Sequence, residues 1–249
     1  MNVDTTEITH ISLCSGYGGI DLGLRRVISN LRTVAYAEIE AFAIECLLAR
    51  MEGGQLDAAP IWSDLKSFPW ESFHGMVDIL SGGYPCQPFS SAGKRAGADD
   101  PRHLWPYIRD GIERMAPRLC FFENVEGHIS LGLSSVISDL EELGYQVAWG
   151  IFSAAECGAP HQRRRIYLLA NSLCERGQLP LEWQQPAEPM SRSKSAAWRA
   201  WKTWSTQPGV CGGDDGASNR VDRLRLLGNG VVPATAELAF RTLLKELTQ

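Results

Sequence analysis

The 249-residue chain has no apolar run long enough to cross a bilayer. Its first residues, Met1 to Glu7, lack the basic and apolar stretches of a secretion signal. Seven cysteines, an odd count without paired spacing, argue against a disulfide framework and against a metal site. A reducing, cytoplasmic setting is therefore expected, with no membrane partner. Positive charge is also scarce: 24 Lys and Arg stand against 29 Asp and Glu, a net of −5. That balance taken whole speaks against a polyanionic partner, but its distribution does not. Residues 1–158 carry 11 basic against 21 acidic groups, whereas residues 159–225 carry 11 against 6. An acidic body with a basic later segment is compatible with a polyanion on one face. From charge alone, a solvated basic surface serves equally well.

What is present is an alternation of short apolar strands and helix-period segments, the pattern of an α/β sheet protein. Ile8 to Cys14 reads as a strand ended by Ser15-Gly16-Tyr17-Gly18-Gly19. A helical spacing follows through Ile20, Leu22, Leu24, Val27, Ile28 and Leu31. Strand, glycine turn and helix is the arrangement in which backbone N–H groups face a nucleotide-like ligand. A second strand, Thr33 to Ala37, delivers Glu38, an acid placed to accept ribose hydroxyls. This spacing does not separate a dinucleotide from S-adenosylmethionine.

Glu40 to Arg50 is expected as a helix with Ala41, Ile44, Leu47 and Leu48 inward. A short third strand near Pro60 to Trp62 hands over to Asp64 and Leu65. There an acid either bonds an adenine amine or caps a turn. A fourth strand, Met76 to Leu80, stops at Gly82-Gly83 and leads into Tyr84-Pro85-Cys86-Gln87-Pro88. A thiol on a rigid proline turn at a strand exit is a candidate nucleophile. Leu104 to Met115 is expected as a helix and Pro117 to Phe122 as a buried strand that ends in Glu123-Asn124-Val125. Burial at such a position raises a carboxyl pKa, which suits a proton donor near neutral pH. Further on, Ser135 to Leu143 reads as a helix, and Tyr145 to Phe152 and Arg165 to Ala170 as strands. Arg163 and Arg165, in an extended segment, should point to one side, where they suit an anion or carbonyl clamp.

Composition changes after Asn171. The stretch 172–219 holds four of the eight tryptophans, Trp183, Trp198, Trp201 and Trp204, with Arg192, Lys194, Arg199 and Lys202 among them. A short helix over Ser195 to Trp204 is the only periodicity. Tryptophan with interleaved cations suits contact with bases and phosphates, and partial disorder before binding reads equally well. Order returns with Gly228-Asn229-Gly230-Val231-Val232-Pro233 and a helix from Ala234 to Leu247. Its Leu238, Leu243, Leu244 and Leu247 need cover from the rest of the chain.

In this order, Ser-Gly-Tyr-Gly-Gly, Pro85-Cys86-Gln87, Glu123-Asn124-Val125, Arg163-Arg164-Arg165 and Gly228 to Pro233 resemble the cytosine-C5 DNA methyltransferases. The resemblance covers nearly all the chain except roughly 172–217, and the compact chain with its Asn219–Pro233 segment looks like that of small phage- or prophage-type members. The resemblance implies a Rossmann-like methyltransferase fold: a seven-stranded, mostly parallel sheet with helices on both faces and a small irregular recognition lobe. Domain bounds follow as 1–171 for catalysis and cofactor, 172–217 for target recognition, and 218–249 packing back on the first. The implied reaction moves a methyl from S-adenosylmethionine to C5 of a flipped cytosine in double-stranded DNA, in a restriction-modification setting and by a monomer. Cys86 would add to C6, Glu123 would hold the N3 and amino edge, and Arg165 would hold O2, with Arg163 bracing the pocket.

Cofactor contacts are implied for Cys14, Gly16, Tyr17, Gly18 and Gly19 in the first loop. Glu38 would take the ribose with Ile39 beside it, Asp64 the adenine amine with Leu65 beside it, and Pro85 the methyl end. Asn229, Gly230 and Val231 would form the far wall. DNA contacts are implied for Gln87, Ser90, Lys94, Arg102 and Arg220, with Ser90 to Asp100 closing as a lid. Cys14 stands where a phenylalanine is usual, Ile39 where an aromatic is frequent, and His161 where a glutamine often opens the arginine motif. A transfer-RNA cytosine methyltransferase on the same scaffold would share Cys86 and Glu123. A noncatalytic DNA-binding relic would not be expected to keep them with both arginines.

Overall fold

The computed structural model describes residues 7–85, 104–174 and 228–248. Strands β1 (Ile8–Leu13), β2 (Leu31–Ala37), β3 (Ile61–Trp62), β4 (Ile79–Gly82), β5 (Leu119–Val125), β6 (Tyr145–Ser153) and β7 (Arg164–Ser172) form one sheet. Their order is β3-β2-β1-β4-β5-β7-β6. Strands β1 to β5 pair in parallel, and β7 lies antiparallel between β5 and β6. The mostly parallel, seven-stranded sheet expected from sequence is present.

Both faces of the central strands are buried, which is why β4 opens on Ile79-Leu80 and β5 on Leu119 to Phe122, with no polar alternation. Successive residues then serve opposite layers. Leu80 and Phe122 pack with Ile108, Ile112, Val136 and Leu140 from α3 (Trp105–Met115) and α5 (Leu133–Glu142). Ile79 and Phe121 pack on the other side with Leu24, Phe240 and Leu243 from α1 (Gly19–Leu24) and α6 (Pro233–Leu247). Phe121 and Phe122 are 0% and 1% exposed, so each contributes on the order of 2 kcal/mol by burial. Helix α2 (Ala41–Glu52) covers Tyr36 through Leu47, and α4 (His128–Leu131) is a single turn between β5 and α5.

Helix α6 lies against α1, β6 and β7. Gly23 permits this approach: a Cβ there would stand 2.7 Å from both Ala236 Cβ and Pro233 O. Of the leucines that needed cover, Leu243 and Leu244 are buried while Leu238 and Leu247 are partly covered.

Several elements depart from the expected bounds. Helix α1 stops at Leu24. Val27 and Ile28 sit in the turn that follows, and Leu31 opens β2 opposite Ile8. The β-branched pair and Ser29-Asn30 propagate a helix poorly, so strand pairing wins. Ala41 and Leu48 of α2 are exposed, leaving Leu47 and Ala43 as its buried contacts. Strand β4 begins at Ile79 and includes Gly82; Met76 is exposed. Strand β5 continues past Phe122 to Val125, and α5 starts two residues early, at Leu133.

The chain builds outward from β1 to β2 and β3, then returns to lay β4 on the other side of β1. At such a reversal the connections leave in opposite directions and open a crevice beyond the strand C-termini. The segments leaving there are 14–18 after β1 and 83–85 after β4.

Candidate active site

Strand β5 presents Glu123 opposite Tyr167 of β7, with only 6% of its surface exposed. Arg165, two residues earlier on β7, places Nε 3.0 Å from Glu123 Oε1. That contact is an ion pair without hydrogen-bond alignment, and Oε1 has no hydrogen bond among the described residues. Burial raises the Glu123 pKa to about 7, against the opposing pull of Arg165 and Arg163. A buried carboxyl oxygen whose one near neighbour is a guanidinium is where a substrate group would be received. Strand β4 exits beside it: a Cβ on Gly83 would lie 3.2 Å from Glu123 Oε2. Asn124 Nδ2 donates to Tyr84 O at 3.1 Å, and Asn124 Oδ1 accepts from Val125 N at 2.8 Å. The two strand exits are thus tied directly to each other. Pro85 follows Tyr84, and Cys86 lies just outside the described residues.

On the other side of the crevice, the loop after β1 takes left-handed conformations at Cys14 (φ 48°), Gly16 (φ 55°) and Gly18 (φ 80°). Gly18 caps α1 and Gly18 N donates to Ser15 O at 2.8 Å. A Cβ on Gly16 would meet nothing within 4 Å, so the loop is open there. Glu38 holds this loop to the end of β2. Its Oε2 accepts from Gly16 N at 2.7 Å, and its Oε1 accepts from Ile39 N at 2.8 Å and Glu40 N at 2.9 Å. Three of a carboxylate's roughly four acceptor positions are therefore taken, leaving about one for a ligand hydroxyl. Burial and Glu38 push the Cys14 thiol up to about 12, so it is no nucleophile. Ile39 is exposed beside it. Asp64 Oδ1 accepts from Lys66 N at 2.9 Å and caps the turn Leu65–Ser67, and Leu65 is buried. The cap expected for Asp64 is made through Oδ1.

The C-terminal segment closes against both halves. Tyr17 Oη donates to Val231 O, and Gly19 is needed because a Cβ there would fall 2.2 Å from that same oxygen. Arg163 Nη2 donates to Gly228 O at 2.8 Å and also to Gly230 O. Arg163 does not alternate with Arg165 along a strand, as extended spacing suggested. It has φ 30° and precedes β7, which starts at Arg164. Its guanidinium braces the 228–230 backbone, whereas Arg165 faces Glu123. Arg164 pairs at 3.2 Å with Glu126, and Asn229 is exposed while Gly230 and Val231 are buried.

Two groups were not singled out from sequence. Trp62 is 40% exposed at the end of β3, where its carbonyl accepts from Glu38 N at 2.9 Å; an aromatic closing a strand beside the ribose acid was its only signal. Asn124 was legible only as a neighbour of Glu123. Gln87, Ser90, Lys94, Arg102 and Arg220, the lid over Ser90 to Asp100, and the Ser195 to Trp204 helix lie outside the described residues. Among the described residues no three His, Cys, Asp or Glu side chains cluster to hold a metal. No described helix is long and apolar enough to cross a membrane.

An open sheet with a glycine loop after β1, an acid after β2 and a buried acid on β5 has the layout of Rossmann-like methyltransferases. Solved structures share the fold. The S. pombe Dnmt2 methyltransferase superposes with a TM-score of 0.58 at 22% identity, covering 75% of this chain and 58% of that one. The Entamoeba histolytica methyltransferase EhMeth gives 0.55 at 20% identity, covering 74% and 58%. By sequence, the chain is 33% identical over 168 residues to the Type II methyltransferase M.NgoMIV of Neisseria gonorrhoeae, covering 66% of this chain and 52% of that one. It is 34% identical over 173 residues to the Type II methyltransferase M1.ScrFI of Lactococcus lactis subsp. cremoris, covering 68% and 42%. The chain thus spans about half the length of such relatives or less. A family profile for C-5 cytosine-specific DNA methylase matches residues 8–196. The chain belongs to that family.

Proposed function

We propose that this chain is a DNA (cytosine-5-)-methyltransferase, acting on a cytosine turned out of duplex DNA. The observation that carries this reading is Glu123. It is a buried acid with a pKa raised to about 7 and one oxygen that no described residue hydrogen-bonds. It also faces Arg165 and borders the strand exit that leads to Cys86. C5 of cytosine is a weak nucleophile, and addition of a Cys86 thiolate to C6 would make the ring an enamine. As the Sγ–C6 bond forms, the C5–C6 electron pair is freed to attack from C5, and Glu123 gives its proton to N3. Arg165 would hold O2, and Arg163 acts at one remove by bracing the 228–230 backbone. Loss of the C5 proton to water and of the thiolate from C6, with return of the N3 proton to Glu123, then restores the aromatic ring. Since C6 is covered in a stacked duplex, the base must leave the helix. A thiol with a pKa of about 8.5 is only a few per cent ionised at neutral pH, so the site must favour the thiolate.

The described residues fit S-adenosylmethionine. The 14–18 loop has open space at Gly16, Glu38 keeps an acceptor position, and the crevice lies at the sheet's reversal. Gly16, Gly18, Gly19, Glu38, Asp64 and Val231 would hold it, with Pro85 at the methyl end. When bound, it supplies an electrophilic methyl group on a sulfonium.

Transfer of a tritiated methyl to duplex DNA, compared with transfer to tRNA, tests the substrate; incorporation into RNA alone refutes the DNA reading. For mechanism, Cys86→Ser is expected to lose methylation while keeping DNA affinity in a gel-shift assay. Wild-type turnover by that variant would refute the thiolate.

A further inference from the structure

Two residues before Cys86, the chain is fastened to the far end of β5 by a buried pair that the mechanism above leaves unused. Tyr84 is 4% exposed and His128 is 0% exposed, and Tyr84 Oη and His128 Nε2 share a hydrogen bond of 3.0 Å. The two rings meet edge-on at 5.6 Å. Tyr84 also meets Phe122 edge-on at 5.8 Å and tilts against Trp105 at 5.3 Å. Its carbonyl receives Asn124 Nδ2. The ring contacts would seat a phenylalanine as well. What the hydroxyl adds is a directed link between the exit of β4 and α4, the turn that follows Glu123's strand.

We propose that Tyr84 and His128 are positioning residues for the nucleophile, fixing the exit of β4 against that of β5 and so the span from Cys86 to Glu123. This rests on the covalent reading above. Neither residue is assigned to base or cofactor, so the effect is exerted through the backbone of Tyr84 and Pro85. Bond formation needs the reacting atoms within about 3–3.5 Å, and a displacement of about 1 Å costs on the order of a hundredfold in rate. Removing the hydroxyl takes a partner from the buried His128 Nε2 and so lowers stability whatever the role of the pair. Positioning is therefore read from the trapping rate set against cofactor KM.

The test uses a duplex bearing 5-fluorocytosine at the target position. With no C5 proton to lose, the Cys86–C6 adduct persists after methyl transfer and is counted directly. Tyr84→Phe is expected to slow trapping and kcat together by about tenfold, with cofactor KM near wild type and a melting temperature only a few degrees lower. His128→Gln, which keeps a hydrogen-bonding group, should retain most of the rate. His128→Leu should match Tyr84→Phe, and the double variant should be no slower than either. Wild-type trapping by Tyr84→Phe would overturn the proposal. So would a parallel loss of trapping, cofactor affinity and melting temperature in Tyr84→Phe and His128→Gln. A wild-type chain that methylates cytosine yet never traps would refute the covalent reading itself, a result distinct from a wild-type chain that traps and variants that trap equally fast.

Discussion

At Glu123, burial and two guanidinium groups act in opposite directions on one proton. Burial wins, and the pKa stands at about 7 against an ordinary 4.5. The sign for stability follows. The protonated carboxyl is the form the fold tolerates, so this group's contribution is present below the unfolded pKa and lost as pH rises through about 7. Glu123→Gln, which never ionises, should therefore melt close to wild type near pH 5 and several degrees above it at pH 8.5. Equal melting temperatures at pH 8.5 would show that the acid is not held protonated by burial. The same variant should lose on the order of a hundredfold or more in kcat, because an amide cannot give its proton to N3. Glu38 acts on the loop instead. Its three backbone N–H donors pre-shape the loop before any ligand arrives. Glu38→Ala should therefore weaken cofactor binding in calorimetry by more than one lost hydroxyl contact explains.

Among the elements, the contact of α1 with α6 leaves no room for a side chain. Helix α1 emerges from the glycine loop, and α6 reaches it only because Gly23 has no side chain. Gly23→Ala would drive a methyl to 2.7 Å from Ala236 Cβ and Pro233 O. Overpacking of this kind costs about 1–3 kcal/mol. A drop of several degrees in melting temperature is expected, together with weaker cofactor binding, since the loop moves with its helix. An unchanged melting temperature would mean that α6 is free to retreat. Helix ends were the least legible feature in the sequence. The run from Ile20 to Leu31 has one apolar period, but its last residues were claimed by a turn and by pairing with Ile8. β5 showed the same effect in reverse: the strand expected to stop at Phe122 runs on through Glu123, which pairs with Tyr167.

For the whole molecule, the separation of charge matters more than the net of −5. The excess of cations lies in residues 159–225, largely beyond the described part. If these cations meet phosphates, DNA affinity should fall steeply with salt, with a slope of about −0.9 per phosphate neutralised. Replacing Arg192, Lys194, Arg199 and Lys202 by alanine should flatten that slope and leave cofactor affinity untouched. An unaltered slope would place the phosphate contacts elsewhere. The segment's tryptophans and cations were legible as composition, but its place relative to the crevice was not, because neither periodicity nor spacing orders it.

The sequence by itself determined the alternation of strands and helices, the glycine loop, the acid after β2, and the Cys86, Glu123 and arginine motifs in their order. These are local matters, set by period, turn chemistry and residue type. Only the tertiary structure decided that Arg165 faces Glu123 while Arg163 turns to the 228–230 backbone. It also decided that Tyr17 and Gly19 close on Val231, and that Tyr84 is tied to His128. Each of these joins residues brought together by sheet order and helix packing, and such proximity is set by burial of the whole core rather than by any one stretch of chain.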